Sequence, residues 1–208
     1  MSEFDQLIEG YHRFRSERFA QQNRLYRKLA ERGQSPRVMV IGCCDSRADP
    51  ALIFDTAPGE IFAVRNVANL VPPYLPNDDY HSTSAALEFA VTGLEVSHIL
   101  VLGHARCGGI QASLKGSRPS SFIGKWMSIL DGARQQVDAA HEGADEPVRQ
   151  HALELAGIGQ SLTNLMGYPF VSERVGKETL SLHGGYFDIA SGILHLRAPE
   201  TGAFAEVA

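Results

Sequence analysis

The chain has 208 residues, of which 44% are hydrophobic and 21% are charged, and its formal net charge is −5. The negative charge offers no basic surface for nucleic acid or for an anionic membrane, so neither is an expected partner. No apolar run approaches the roughly 20 residues that a membrane-spanning helix needs. We predict a single domain over residues 1–208, because no linker, internal repeat or low-complexity tract interrupts the sequence.

Apolar residues recur at three- and four-residue steps near the N-terminus, at Phe4, Leu7, Ile8, Tyr11 and Phe14. This spacing predicts one helix over residues 4–30 with an apolar face. We therefore expect an N-terminal helical arm, residues 1–32. It could pack either on its own domain or on a partner subunit, and the sequence leaves both alternatives open.

Short apolar runs bounded by turn residues predict strands, of which the first is expected to be buried and the third is apolar on both faces. In the first half of the chain these runs occupy 37–42, 61–66 and 97–104. Helical patterns occupy 51–54, 82–94, 120–140 and 146–166. The Pro- and Asp-rich segment 69–80 is predicted to be irregular. The segment 178–199 predicts two strands around a turn at 190–193.

Strands that alternate with helices predict right-handed crossover connections and a parallel sheet. The two C-terminal strands are expected to extend that sheet at an edge. We therefore predict an α/β fold in which a mainly parallel β-sheet is flanked by helices. An N-terminal helical arm and a C-terminal edge-strand pair complete the expected architecture.

The chain contains three cysteines, Cys43, Cys44 and Cys107. An odd and sparse set argues against a disulfide framework. The N-terminal sequence MSEFDQLIEGYHRF is charged throughout and lacks the apolar core of a signal peptide. We therefore expect a cytoplasmic protein in which clustered thiols are metal ligands or nucleophiles.

Reactive side chains follow two of the predicted strands. The first strand runs into CCDSR, residues 43–47, and the third ends in HARCGG, residues 104–109. Neighbouring parallel strands share one carboxyl edge, where ligand sites form in open α/β folds. Cys43, His104 and Cys107 are therefore expected to converge at a single point.

Two thiolates and one imidazole form a suitable donor set for zinc. Three protein ligands leave the fourth position open, which is what separates a catalytic zinc site from a structural one. The alternative at this point is a cluster of buried structural cysteines without a metal.

Asp45 and Arg47 follow Cys43 closely, so the Asp45 carboxylate can either approach the metal or pair with the guanidinium. In the first arrangement Asp45 takes the fourth zinc position and closes the site. In the second, Arg47 holds Asp45 away and zinc binds a water, whose pKa falls from about 15.7 toward about 7. A surface ion pair without a catalytic role is the third possibility.

The motifs CCDSR and HARCGG, with AVRNVANLVPPY between them and LHGGYFDIASG downstream, resemble the β-class carbonic anhydrases, in particular their plant-type branch. The resemblance covers about residues 30–195. It implies one zinc ion per subunit, held by Cys43, His104 and Cys107, and the catalytic pair Asp45 and Arg47. The implied reaction is the reversible hydration of carbon dioxide to bicarbonate and a proton by zinc-bound hydroxide.

The resemblance also implies a substrate cleft, formed by Gln34, Phe62, Val67, Phe89 and Gly108. Gln34 would hydrogen-bond the substrate, Phe62 and Val67 would line the cleft, and the Gly108 N–H would donate to an anion. Phe89 stands where plant-type members have a tyrosine. The family further implies a homodimer or higher homo-oligomer whose N-terminal helices embrace the neighbour, with Gln34 and Phe89 serving a cleft at the subunit boundary.

Some family members carry an inhibitory bicarbonate site built from a tryptophan, an arginine and a tyrosine. Here Val40 and Phe187 stand at two of those positions and only the arginine, Arg65, is kept. We therefore predict that this protein lacks the associated switch.

Two other functions fit the same motifs. One is hydrolysis of carbon disulfide or carbonyl sulfide on the same fold. The other is a non-catalytic, zinc-stabilised oligomer in which Asp45 is a permanent fourth ligand.

Overall fold

The computed structural model of the protein describes residues 1–77, 79–116 and 122–207. The α-helices are α1 (Glu3–Ser16), α2 (Arg18–Arg32), α3 (Pro50–Ile53), α4 (Ser82–Glu88), α5 (Gly108–Leu114), α6 (Phe122–Met127), α7 (Asp131–Ala140), α8 (Glu146–Met166) and α9 (Pro169–Gly176). The strands are β1 (Val38–Cys43), β2 (Ile61–Asn66), β3 (His98–His104), β4 (Ser181–Phe187), β5 (Leu194–Arg197) and β6 (Phe204–Glu206). None of the described helices is both long and apolar enough to cross a bilayer.

The described strands form one six-stranded sheet with the order β2-β1-β3-β4-β5-β6. The first four strands in this order run parallel, and β5 and β6 are antiparallel to their neighbours. The predicted fold class is therefore confirmed. The two predicted C-terminal strands are β4 and β5, and β6 adds an edge strand that the sequence pattern did not indicate.

The N-terminal arm consists of two helices, so the prediction of one helix over 4–30 was wrong. The helices meet at Glu17, whose φ of −109° and ψ of −78° interrupt the helical path. Phe14, Phe19 and Tyr26 pack across this corner with ring centroids 5.2–6.1 Å apart. Apolar spacing identifies a helix face on each side of such a bend but carries no signal for the bend itself.

Two other predicted helices are subdivided. The segment 82–94 forms α4 followed by a π-helical stretch, Phe89–Gly93, and the segment 120–140 contains α6, a 3₁₀ turn at Ser128–Leu130 and α7. Residues 120 and 121 lie outside the described part of the chain. Segment 69–80 has no α-helix or strand in its described residues, as predicted.

The main core lies between the sheet and α8. Met39, Ile99 and Ile158 are fully buried there. A Cβ atom at Gly103 would lie 2.7 Å from the Ile158 Cδ1, and one at Gly184 would lie 2.9 Å from its Cγ2. These two glycines therefore allow α8 to approach the central strands closely, which brings the polar residues of this helix next to the carboxyl edge of β3.

Candidate metal centre

Three buried donor side chains meet at the carboxyl edge of the sheet. Cys43 ends β1, His104 ends β3 and Cys107 immediately precedes α5. Their ligand atoms lie within 4.8 Å of one another, and the three residues are 6%, 1% and 2% exposed, respectively. The predicted convergence is confirmed, and it follows from the register, which places Gly42 of β1 beside Leu102 of β3.

The imidazole of His104 is oriented for metal binding. Its Nδ1 lies 2.9 Å from the Ala105 carbonyl oxygen, which can only accept, so Nδ1 carries the proton and Nε2 has the lone pair. Nε2 is buried and has no hydrogen-bond partner among the described residues. An acceptor buried without a partner is unfavourable, and a cation would satisfy it. This orphaned nitrogen and the two thiols fit a zinc ion.

The two cysteines at the centre differ in acidity because they hydrogen-bond to each other. The hydrogen bond from Cys107 lowers the pKa of the Cys43 thiol to about 4. The same bond, together with burial, raises the pKa of Cys107. The pair therefore gives up one proton readily and holds the second, so a bound cation is what would keep both as thiolates.

Asp45 is held beside the three ligands by Arg47. The Arg47 Nε donates to Oδ1 at 3.0 Å and Nη2 donates to Oδ2 at 2.7 Å, which makes a bidentate pair. These hydrogen bonds hold the pKa of Asp45 well below its usual range. Its Oδ2 lies 3.9 Å from the His104 Nε2. This geometry corresponds to the second of the two predicted arrangements, in which Arg47 holds the carboxylate.

Arg65 supports the same loop in a way that sequence reasoning missed. Its guanidinium donates to the Cys43 carbonyl at 2.8 Å, to the Asp45 carbonyl at 2.7 Å and to the Asp49 carboxylate at 2.6 Å. Arg65 therefore fixes the main chain on both sides of Cys44. An arginine at the end of a predicted strand was the available signal, but its partners are carbonyl groups, which no residue pattern reveals.

Two of the predicted cleft residues lie at the centre. Val67 follows β2 and packs against the cluster that contains Cys43 and Cys107. A Cβ atom at Gly109 would lie 2.9 Å from the Val67 Cγ1, so this glycine permits the close approach of α5. Gly108 opens that helix, and a Cβ atom there would meet nothing within 4 Å, so this position faces open space.

The other predicted cleft residues do not approach the ligands of their own chain. Gln34 is exposed in the loop between α2 and β1. Phe62 pairs with Met39, four residues before the carboxyl end of β2, which is roughly 13 Å of strand. Its ring packs on that of Phe89 with centroids 5.8 Å apart, and Phe89 is 54% exposed. The structure therefore brings Phe62 and Phe89 together, at a surface.

Val40 and Phe187 are the apolar residues predicted to replace an inhibitory anion site. Val40 is 1% exposed in β1, and Phe187 ends β4 beside His104. Neither side chain offers a polar atom, and the guanidinium of Arg65 is engaged by the protein. Absence of the switch stays a prediction.

Comparisons with known proteins agree with this geometry. The family model for carbonic anhydrase matches residues 38–194. Beta carbonic anhydrase 5, chloroplastic, from Arabidopsis thaliana is 39% identical over 188 residues, which are 89% of this chain and 62% of that protein. The present chain thus spans less than two thirds of the length of this relative.

Solved structures of β-carbonic anhydrases are also similar to this chain. The structure of the beta-carbonic anhydrase CcaA has a TM-score of 0.92 at 30% identity and covers 99% of this chain and 100% of its own. A structure from a study of two tetrameric beta-carbonic anhydrases from Sordaria macrospora has a TM-score of 0.80 at 29% identity, with 97% and 98% covered. The chain belongs to the β-carbonic anhydrase family.

Proposed function

We propose that this protein is a zinc-dependent carbonic anhydrase, which hydrates carbon dioxide reversibly to bicarbonate and a proton. The observation that carries the proposal is the convergence of three buried donors beside a carboxylate held by an arginine. Membership of the family supplies the reaction class. The donor set of Cys43, His104 and Cys107 supplies the place for zinc.

Zinc bound to these three residues would act as a Lewis acid that makes water nucleophilic near neutral pH. Asp45 then accepts a hydrogen bond from the attacking water and orients its lone pair toward the carbon of carbon dioxide. Because Arg47 lowers the pKa of Asp45, the carboxylate stays an acceptor and does not take up this proton. With both its oxygens bonded to Arg47, Asp45 is also poorly placed to be a permanent metal ligand.

Val67 and Gly108 are proposed to contact the substrate. Val67 gives the uncharged gas an apolar surface next to the ligands. The Gly108 N–H lies in the first turn of α5, where backbone donors have no partner within the helix. It is therefore available to donate to an oxygen of bicarbonate.

Gln34, Phe62 and Phe89 are proposed to serve the centre of a partner subunit. Phe89 is 54% exposed and packs on Phe62, so the two rings present an apolar surface away from the ligands of their own chain. Gln34 lies exposed after the N-terminal arm. A cleft completed across a subunit boundary would use all three residues.

A homodimer or a higher homo-oligomer is proposed for the same reason. Four apolar side chains of α1 are between 42% and 70% exposed, namely Phe4, Leu7, Ile8 and Tyr11. Neither α1 nor α2 has a buried residue, which favours the alternative that this arm packs on a partner subunit. The Sordaria macrospora relatives are tetrameric.

We also propose that the chain forms a single domain and that the protein is cytoplasmic. A single domain is supported by α8, which packs on both β3 and β4 and on α7. A cytoplasmic location is supported by the three free cysteines, since thiols persist in reducing compartments. Fractionation of cells with an antibody to the protein tests the location.

Substitution of Asp45 tests the proposed activity. Asp45→Asn is expected to lower the rate of carbon dioxide hydration by at least about 100-fold, because an amide cannot form the bidentate pair with Arg47 that keeps this group a hydrogen-bond acceptor for the attacking water. Zinc content should be unchanged, since the three ligands are intact. Stopped-flow hydration with a pH indicator and metal analysis of the same sample measure the two quantities.

Asp55→Asn is the matched control, because Asp55 is exposed with a φ of 46°, a conformation that asparagine also tolerates. It should keep the full rate. A zinc-replete wild-type protein without detectable hydration at pH 7–9 would refute the proposal. Assays with carbonyl sulfide and carbon disulfide would then separate the hydrolase alternative from the non-catalytic one.

A further inference from the structure

A buried carboxylate lies directly behind one of the proposed zinc ligands. Glu154 on α8 is 4% exposed, and its Oε1 accepts the Cys107 N–H at 2.9 Å. Gln150, one turn earlier in the helix, donates to the same oxygen at 2.9 Å and to the Cys107 carbonyl at 3.4 Å. Two residues of α8 thus hold both main-chain polar groups of Cys107.

The second oxygen of this carboxylate is held as well. The Tyr186 hydroxyl lies 3.0 Å from the Glu154 Oε2. Burial raises the pKa of Tyr186, and the charge of Glu154 raises it further, so the hydroxyl keeps its proton and is the donor. His151 Nδ1 lies 3.0 Å from the same hydroxyl oxygen and donates to it, and the two rings meet edge to face.

The partners of Glu154 identify it as an acceptor of three hydrogen bonds, from Cys107, Gln150 and Tyr186. A buried carboxylate carries a large desolvation cost that such bonds only partly offset. No lysine or arginine in the described part of the chain forms an ion pair with it. Three donors bonded to one buried side chain beside a metal ligand indicate a role at that ligand.

The backbone conformation just before Cys107 explains what the hydrogen bond to Glu154 can do. Arg106, the residue before Cys107, has a φ of 55°, a left-handed conformation that is unfavourable for an L-residue. The N–H that Glu154 accepts belongs to the peptide between these two residues. The carboxylate therefore holds this strained turn in the conformation that directs the Cys107 sulfur toward Cys43 and His104.

We propose that Glu154 is a positioning residue for the metal ligand Cys107, with Gln150, Tyr186 and His151 fixing its carboxylate. The inference rests on the proposed zinc centre but not on the identity of the substrate. Outer partners of metal ligands commonly contribute a factor of about 10–100 to metal affinity.

Zinc affinity, measured by competition with a chromophoric chelator, tests this role. Glu154→Gln keeps the size of the side chain but turns an NH₂ group toward bonded donors, so the zinc Kd should rise by about 10–100-fold. The charge-transfer band of the cobalt-substituted protein should also shift, because the Cys107 sulfur is displaced. Glu146→Gln is the control: Glu146 lies in the first turn of the same helix and is exposed. It should leave both readouts unchanged.

A second pair of variants decides the question even if Glu154→Gln does not fold. Tyr186→Phe and Tyr168→Phe each remove one buried hydroxyl that makes two hydrogen bonds. Both should lower thermal stability, but only Tyr186→Phe should weaken zinc binding, by about threefold or more. Equal zinc Kd values for the two tyrosine variants and the wild type would overturn the proposal.

Parallel measurement of carbon dioxide hydration separates the two proposals. A wild-type protein that binds zinc but hydrates no carbon dioxide would refute the proposed activity and leave the affinity comparison valid. A fully active wild type whose Glu154 and Tyr186 variants bind zinc normally would refute the positioning role alone.

Discussion

Arg65 illustrates how a single side chain outside the ligand set can shape the centre. Its three hydrogen bonds hold the carbonyl groups of Cys43 and Asp45 and the carboxylate of Asp49. Arg65→Lys keeps the positive charge but loses the planar fork that reaches three acceptors at once. We expect the free energy of unfolding to fall by about 2–3 kcal/mol, measured by urea denaturation of the zinc-loaded protein.

Arg37→Lys is the matched control for this prediction. The Arg37 side chain is exposed and forms no hydrogen bond or ion pair with the described residues. Its replacement should change the free energy of unfolding by less than about 0.5 kcal/mol. If the two lysine variants unfolded at the same urea concentration, Arg65 would have no structural role at the loop.

The metal-binding role of a residue could be predicted where its side-chain type and its position after a strand indicate it. The role of a residue whose side chain binds backbone groups could not be predicted. Cys43, His104 and Cys107 follow strands, so their side-chain types and positions pointed to one place. Arg65 and Glu154 instead bind backbone groups, and such partners are defined only by the tertiary fold. The one available signal for Glu154 was a charged residue between Leu153 and the apolar positions that follow in α8.

At the scale of the structural elements, Gly103 and Gly184 allow α8 to pack closely on the central strands. Gly103→Ala would place a Cβ atom 2.7 Å from the Ile158 Cδ1, and both groups are in the core. We expect this variant to lose about 1–3 kcal/mol of stability. Adding Ile158→Val removes the clashing methyl group and should recover part of that loss, which a double-mutant cycle in urea measures.

Gly159→Ala provides the comparison on the same helix. A Cβ atom at Gly159 would meet nothing within 4 Å, so the substitution should stabilise α8 by up to about 1 kcal/mol. Additive effects of Gly103→Ala and Ile158→Val would show that the contact between strand and helix does not limit stability.

Helices and strands could be predicted where the spacing of apolar residues distinguishes between them. The predicted strand at 61–66 and the predicted helix at 146–166 became β2 and α8 with the same bounds, because their length and apolar pattern fit only one type of element. The bend at Glu17 and the π-helical turn at Phe89–Gly93 were not predicted. Apolar spacing carries no signal for either of these changes in the backbone.

At the scale of the whole molecule, the exposed apolar face of α1 should control assembly. Leu7 is 70% exposed, and its burial against another subunit would contribute roughly 1.5–3 kcal/mol. Leu7→Glu is therefore expected to weaken association by at least about 10-fold. Sedimentation velocity over a concentration series should show the shift to smaller species.

Gln6→Glu introduces the same charge at an exposed position of α1 about 100° around the helix from Leu7, outside the apolar face, and should leave the assembly intact. A Leu7→Glu protein that sediments like the wild type would place the subunit interface elsewhere. If Phe62, Phe89 and Gln34 complete the cleft of a neighbouring subunit, dissociation of the subunits should also lower the rate of carbon dioxide hydration. Measuring that rate on the Leu7→Glu protein therefore tests whether assembly is needed for catalysis.

The order in which the chain supplies the parts of the centre has a consequence for biosynthesis. Cys43 leaves the ribosome first, His104 and Cys107 follow, and the helix that carries Glu154 emerges after all three. A nascent chain therefore contains all three donors before it contains the residue that orders one of them. Ion capture should thus be a late event, completed only when α8 has folded onto the sheet.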